Sequence, residues 1–373
     1  MTQDARRSLE DRFERLRKRI REDEVDVLLV SPSADYRYLT GLVPPVPTRL
    51  TFLILPADGE IELVTPSLEA AGFETHSELQ GLVTPVPWSD GDDPAAIAAD
   101  RIRSHGPVRR LAVSDRTWAK HLVPLTDRLA GTQIVAGGEL LGAVRAVKDA
   151  SEIEALGEAA RRVSDVAAQL GDMAWTGRTE RDAAADVAAR LREAGHEDVS
   201  FVILASGPNS ANPHGMPTDR VIERGDVVQL DFGGKVASYS SDIARVVTVG
   251  EPTDEFREVY AIVVSAYEAG LAAARVGASG EDVDAAARGV IADAGYGENF
   301  LHRTGHGIGL DEHEEPFIIA GNTQPLVPGN VFSIEPGIYL ADRFGARLEN
   351  IVALEESGPR ELSRDSHEIV VVD

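Results

Sequence analysis

The chain has 373 residues, 43% hydrophobic and 27% charged, the proportions of an ordinary globular protein with room for two domains. A formal charge of -25 argues against nucleic acid or an anionic membrane as partner, because phosphate contacts need a basic face. The absence of cysteine excludes disulfides, thiolate metal sites and a cysteine nucleophile. Residues 1–13 are polar and no apolar run approaches the ~20 residues that span a bilayer, so a soluble, cytoplasmic protein is expected.

Residues 5–24 carry Leu9, Phe13, Leu16 and Ile20 at helical spacing and predict an amphipathic opening helix. Apolar runs at 25–30 and 49–55 predict buried strands, and Asp58-Gly59 turns the second into a hairpin with 61–64. Helices over 94–105 and 118–129 alternate with strands at 111–114 and 133–135, so residues 1–143 form a mixed α/β domain. Its histidines, His76, His105 and His121, stand isolated and fit surface or capping roles. The stretch from Ala136-Gly137-Gly138 to Lys148-Asp149 reads as a boundary, which makes 144–373 the second domain. Helical patterns at 151–170, 179–194, 254–276 and 280–294 are interleaved with strand patterns at 201–204, 227–232, 243–249, 331–334, 338–340 and 351–354. That order predicts an α+β domain with helices on one face of an antiparallel sheet.

The densest chemistry lies between His302 and His313, where three of the nine histidines are interleaved with Gly305, Gly307 and Gly309. His302 and His306 are four apart, but no Glu follows the first and the glycines oppose a regular helix, so a helical zinc motif is excluded. The glycines leave room for backbone or substrate beside His306. If His306 binds a metal, its co-ligands come from elsewhere. Asp231 ends an apolar run and Asp242 begins another. On a hairpin with an even loop the two carboxylates can oppose each other, Cβ atoms roughly 5 Å apart, and they repel unless a cation or shared proton lies between them. The bland alternative is a turn-flanking Asp and a solvent-facing one. Glu335 and Glu349 are likewise embedded among apolar residues, with a salt bridge to Arg347 or Arg343 as the bland alternative. Taken together, four embedded carboxylates and one imidazole match a site for two divalent cations. The donor set suits manganese, cobalt or iron, with zinc less favoured, and the natural chemistry is hydrolysis by a shared, activated water.

The set Asp231, Asp242, His306, Glu335 and Glu349 resembles the five-ligand pattern of the pita-bread metallopeptidases. Its surroundings are similar to the proline-specific branch: Asn212-Pro213-His214-Gly215, Asp231-Phe232-Gly233, His302-x3-His306, His313-Glu314, Glu335-Pro-Gly-Ile-Tyr339 and Arg347-x-Glu349. The resemblance covers essentially the whole chain, because that branch carries a creatinase-like N-terminal α/β domain before its pita-bread catalytic domain. It implies Asp231 on one metal, His306 and Glu335 on the other, Asp242 and Glu349 bridging both, and Glu335 as proton shuttle to the bridging hydroxide. It also implies that His313 binds the scissile carbonyl or oxyanion, that His214 and His302 line the substrate site, and that Arg347 holds ligand carboxylates. The implied metal is a pair of Mn²⁺ ions, with Co²⁺, Fe²⁺ or Zn²⁺ as alternatives, and the implied assembly a homodimer.

The implied substrates are Xaa-Pro dipeptides, or short peptides with proline second, whose imide nitrogen defeats most peptidases. In some prolidases an Arg follows the Pro of the His-Glu-x-Pro stretch and holds the substrate carboxylate, whereas here Pro316 is followed by Phe317. An Xaa-Pro dipeptidase is therefore expected, with an Xaa-Pro aminopeptidase acting on longer peptides as the alternative. Metal-free creatinase-like hydrolases and non-catalytic pita-bread binding proteins lack metal ligands that this chain retains.

Overall fold

The computed structural model describes residues 3–73, 75–363 and 366–373. The chain forms two compact units, Met1–Arg145 and Ala146–Asp373. No helix among the described residues is long and apolar enough to cross a membrane.

In the first unit helix α1 (Gln3–Glu22) buries Leu9, Phe13, Leu16 and Ile20, the stripe that the sequence spacing predicts. There follow β1 (Val27–Val30), α2 (Ala34–Thr40), β2 (Phe52–Pro56), β3 (Ile61–Pro66), α3 (Ser67–Phe73) and β4 (Val83–Trp88). The unit closes with α4 (Pro94–Ser104), β5 (Arg110–Val113), α5 (Ala119–Thr126), β6 (Gln133–Ala136) and α6 (Gly138–Arg145). The strands make one mixed six-stranded sheet, β4-β3-β2-β1-β5-β6. Four of these elements were not expected. Helices α2 and α3 are seven residues each, too short for a helical period to show. Strand β4 contains Pro85 and Pro87, which break a strand pattern but are tolerated at the sheet edge, where β4 lies. Helix α6 occupies part of the Gly-rich stretch read as a boundary. His105 does cap a helix, α4, and places Nε2 3.1 Å from the buried Glu62.

The second unit is built twice over. Helices α7 (Ala150–Ala167) and α8 (Glu180–Glu193) precede strands β7 (Asp198–Ser206), β8 (Val227–Val236) and β9 (Tyr239–Val249). Helices α9 (Asp254–Ala273) and α10 (Gly280–Asp293) precede β10 (Gly305–Gly307), β11 (Glu314–Ile318), β12 (Val331–Ile334), β13 (Gly337–Leu340), β14 (Phe344–Arg347), β15 (Asn350–Glu355), β16 (Gly358–Glu361) and β17 (Val370–Val372). The sheets run β17-β9-β8-β7, β11-β10-β12-β15-β16 and β13-β14. All pairs are antiparallel except β17 with β9. The doubling reaches the caps. Thr179 caps α8 and bridges Val221, and Ser279 caps α10 and bridges Pro325.

Each helix pair covers one sheet face. Val163, Val187 and Leu191 pack on Leu230, Phe232 and Ile243, and Val263, Tyr267 and Val283 pack on Phe332, Ile334 and Val352. Each fully buried aliphatic or Phe side chain contributes about 1.5–3 kcal/mol. Because side chains alternate along a strand, this packing sends Asp231, between Leu230 and Phe232, and Asp242, before Ile243, to the opposite face.

Candidate metal centre

The site is assembled by strand register. On the β8–β9 hairpin Asp231 pairs with Ala244 and Asp242 with Gly233, so the two carboxylates are diagonal neighbours on one face and not directly opposed. The cause is the turn. Val236 pairs with Tyr239 around Ala237-Ser238, one residue further along the chain than direct opposition requires. In the second half the last β12–β15 pair is Ile334 with Asn350, and the same register one step on opposes Glu335 to Glu349. An isolated bridge between Ala244 and Glu349 joins the halves. Small Ala244 thus lies between Asp231 and Glu349.

His306 sits on β10, between β11 and β12. A Cβ on Gly305 would fall on the Ser333 carbonyl, and one on Gly307 on the Glu315 carbonyl, so these glycines admit the neighbouring strands. His306 Nδ1 lies 3.1 Å from its acceptor, the Gly307 carbonyl, and therefore carries the proton. The Nε2 lone pair is left facing Glu335 Oε1 at 3.4 Å and Asp242 Oδ2 at 3.7 Å. One ligand atom each from Asp242, His306 and Glu349 lie within 4.8 Å of one another. Asp231 Oδ1, Asp242 Oδ1 and both oxygens of Glu349 are buried without a hydrogen-bond donor. Buried carboxylate oxygens without donors are costly unless a cation takes their place.

The electrostatics carry the same information. Burial, then Glu349 and Asp231, push the Asp242 carboxyl well above its ordinary range, and burial with Glu335 and Asp231 does so for Glu349. Burial, opposed by the Arg347 charge, raises Glu335 to about 7. Burial lowers His306 and His302 to about 3, so both rings are neutral.

Arg347, 1% exposed, donates from Nη2 to Asp231 Oδ2 at 2.5 Å and from Nη1 to the Tyr339 hydroxyl at 2.8 Å and the Pro213 carbonyl at 3.0 Å. It does not bridge to Glu335 or Glu349, and Arg343 pairs with Glu255 instead. His302 Nδ1 must donate to the Arg303 carbonyl at 2.8 Å, so Nε2 accepts from Tyr339 at 2.8 Å. Both nitrogens of His302 are therefore engaged within the protein.

His313 is exposed, its ring 4.0 Å from that of His306. Its Nδ1 accepts from Arg303 Nη2 at 3.2 Å, which leaves the proton on Nε2. His214 is exposed on the loop after β7, within electrostatic range of His302 and His313. Fully buried Glu180 ties that loop at both ends, accepting from Ser206 N (2.7 Å), Ser206 Oγ (2.8 Å), Thr218 N (2.9 Å) and Thr218 Oγ1 (2.6 Å). The structure thus gathers the five expected ligand residues, with His302, His313 and Arg347 around them and His214 on the nearby loop. The sequence reading gave Glu180, Tyr339 and Arg303 no role. For Tyr339 and Arg347 the one signal is the turn at 341–343, which makes them same-face diagonal neighbours on the β13–β14 hairpin.

A creatinase-like α/β unit, followed by a doubled α+β unit with carboxylates and one histidine converging on its sheets, defines a metallopeptidase of the pita-bread class. The chain belongs to metallopeptidase family M24. That family's model matches residues 154–356, and the creatinase/prolidase N-terminal domain model matches residues 12–147. Over 346 residues, 92% of each chain, it is 42% identical to the probable dipeptidase PepE of Mycobacterium tuberculosis. It is similar to the crystal structure of dipeptidase PepE from Mycobacterium ulcerans, with a TM-score of 0.92, 40% identity and 98% of each chain covered. For the recombinant prolidase from Thermococcus sibiricus the TM-score is 0.88 at 37% identity, covering 97% of this chain and 98% of that one. Family membership implies divalent metal ions. The donor-less buried oxygens and the free Nε2 of His306 fit such ions.

Proposed function

We propose that this chain is a metal-dependent Xaa-Pro dipeptidase. The observation that carries the reading is the convergence of Asp231, Asp242, His306, Glu335 and Glu349 beside the exposed donor His313, in a chain whose relatives are named dipeptidase and prolidase. Asp231, Asp242, His306, Glu335 and Glu349 would hold two divalent ions. The oxygen-rich donor set with one imidazole favours manganese, with Co²⁺, Fe²⁺ or Zn²⁺ as alternatives. When bound, such ions polarise the substrate carbonyl and lower the pKa of water.

The protein's own groups do the rest. Glu335, whose Oε1 lies 3.4 Å from His306 Nε2 at the centre of the ligand cluster, can take a proton from the attacking water and return it to the proline nitrogen as the bond breaks. His313 Nε2–H donates to the carbonyl oxygen as that oxygen becomes anionic. Arg347 fixes Asp231 through Nη2, and His302 and Tyr339 fix Arg347. His214 lines the substrate's approach. The reading includes a cytoplasmic homodimer, checked by cell fractionation and light scattering.

Metal analysis and assays of Ala-Pro, Leu-Pro and Ala-Pro-Ala with Mn²⁺ or Co²⁺ test the activity. Dipeptides should be cleaved fastest, and Glu335→Ala should lose about 10²–10⁴-fold in kcat. Absence of bound metal together with absence of Xaa-Pro cleavage would remove the proposal, and near-wild-type turnover by Glu335→Ala would remove the proton shuttle. The neutral Phe317 favours one second reading, an Xaa-Pro aminopeptidase, for which Ala-Pro-Ala would be the better substrate.

A further inference from the structure

Several arginines of the second unit are paired with a carboxylate. Arg347 pairs with Asp231, Arg288 with Asp284 and Arg343 with Glu255. Among the described residues Arg303 has no acidic group within ion-pair distance, in a chain with 62 acidic and 37 basic residues. It is half-buried, and its guanidinium is held on two sides. Nη2 donates to His313 Nδ1 at 3.2 Å, and the plane lies over the Phe317 ring with Cζ 4.7 Å from the centroid. The aromatic face orients the guanidinium without neutralising it. Most of its five N–H donors have no protein partner among the described residues.

That position has a chemical meaning. In an Xaa-Pro dipeptide only the imide nitrogen and the proline Cα separate the scissile carbonyl carbon from the terminal carboxylate. A cation hydrogen-bonded to the residue that faces the scissile carbonyl is therefore within reach of that carboxylate. In a longer peptide the same position is an uncharged amide. We propose that Arg303, oriented by Phe317, binds the free carboxylate of the substrate's proline and so selects dipeptides over longer peptides. The inference rests on the Xaa-Pro reading for the identity of the substrate. The guanidinium fork suits a carboxylate bidentately, and a lysine would keep the charge but lose the fork and the flat stacking face.

The test uses the Mn²⁺-loaded full chain and an uncleavable Ala-Pro analogue with a reduced peptide bond, as free acid and as C-terminal amide. Calorimetry should give the wild type about 10- to 100-fold tighter binding of the acid than of the amide. Arg303→Met should bring that ratio close to one, and Arg303→Lys should keep part of it. Equal affinities in the wild type would overturn the proposal. So would a ratio that Arg303→Met leaves intact while weakening both forms, because Arg303 would then act only by orienting His313. Turnover of Ala-Pro and Ala-Pro-Ala by the wild type judges the activity separately. If neither is cleaved the activity reading falls, and the carboxylate site still stands or falls on the acid-to-amide ratio.

Discussion

His302 and His306 are four residues apart and are set up for opposite tasks. His306 donates from Nδ1 to a carbonyl and keeps Nε2 free toward Asp242 and Glu335, whereas His302 has both nitrogens engaged, by the Arg303 carbonyl and Tyr339. The Tyr339 hydroxyl joins two buried groups, donating to His302 and accepting from Arg347, which in turn grips Asp231. Tyr339→Phe removes both bonds while keeping the ring. It should lower kcat by about tenfold and stability by about 1–2 kcal/mol. Metal content should stay near wild type. Kinetics, denaturant unfolding and metal analysis of the same preparation check this, and a stability loss with unchanged kcat would reduce Tyr339 to packing. The five ligand candidates were legible in sequence because a carboxylate inside an apolar strand has a cost that only a partner or cation offsets. Tyr339 was not, since a tyrosine among apolar residues is ordinary core, its bond to Arg347 depends on where the β13–β14 turn falls, and His302 lies on a distant segment. Glu180 was hidden because its partners Ser206 and Thr218 lie far along the chain, and Arg303 because it meets His313 and Phe317 only where β10 and β11 fold back on each other.

Among the elements, the long periodic ones were readable and the short ones were not. Helices α7 to α10 and strands β8, β9, β12 and β15 lie where apolar spacing puts them. Strand β10 reads Gly305-His306-Gly307 and has no apolar residue at all, so only the sheet around it makes it a strand. The diagonal placement of Asp231 and Asp242 was equally illegible, because it depends on where the β8–β9 turn falls. That turn has φ of 48° at Ala237 and 72° at Ser238, the left-handed region that side chains resist and that two-residue hairpins ask of Asn-Gly. Replacing the pair by Ala237→Asn with Ser238→Gly should stabilise the hairpin by about 0.5–1 kcal/mol and raise Tm by about 1–4 °C. Glycine keeps the N–H that Ser238 donates to Glu197. Calorimetric melting reads the outcome, and a lower Tm would mean that the wild-type residues hold this turn by contacts the backbone angles do not reveal.

Across the whole molecule the net charge of -25 and the buried carboxylates act in the same direction, against a metal-free folded state. The folded values of Asp242 and Glu349 lie well above the ordinary range and that of Glu335 near 7, whereas in the unfolded chain all three titrate near pH 4. As pH rises from about 4, the unfolded chain releases its protons first, so the metal-free protein loses stability through the window up to about 7 for Glu335 and beyond it for the other two. Bound cations take the place of those protons and compete with them less as pH rises. Metal-stripped protein should therefore melt highest in mild acid and progressively lower toward pH 8. Added Mn²⁺ at a fixed concentration, about 100 times its Kd at pH 7, should restore about 2.7 kcal/mol per site there and more at the alkaline end, where protons compete less. Surface repulsion alone would also give a downward slope, and Asp242→Asn separates the two. Without metal that variant relieves a buried negative charge, so it should melt above the stripped wild type at pH 8 and show a shallower slope. With Mn²⁺ the order should reverse, because the asparagine cannot serve as a charged ligand. If stripped Asp242→Asn melts no higher than stripped wild type at pH 8, then charge at the ligand cluster is not what destabilises the metal-free fold.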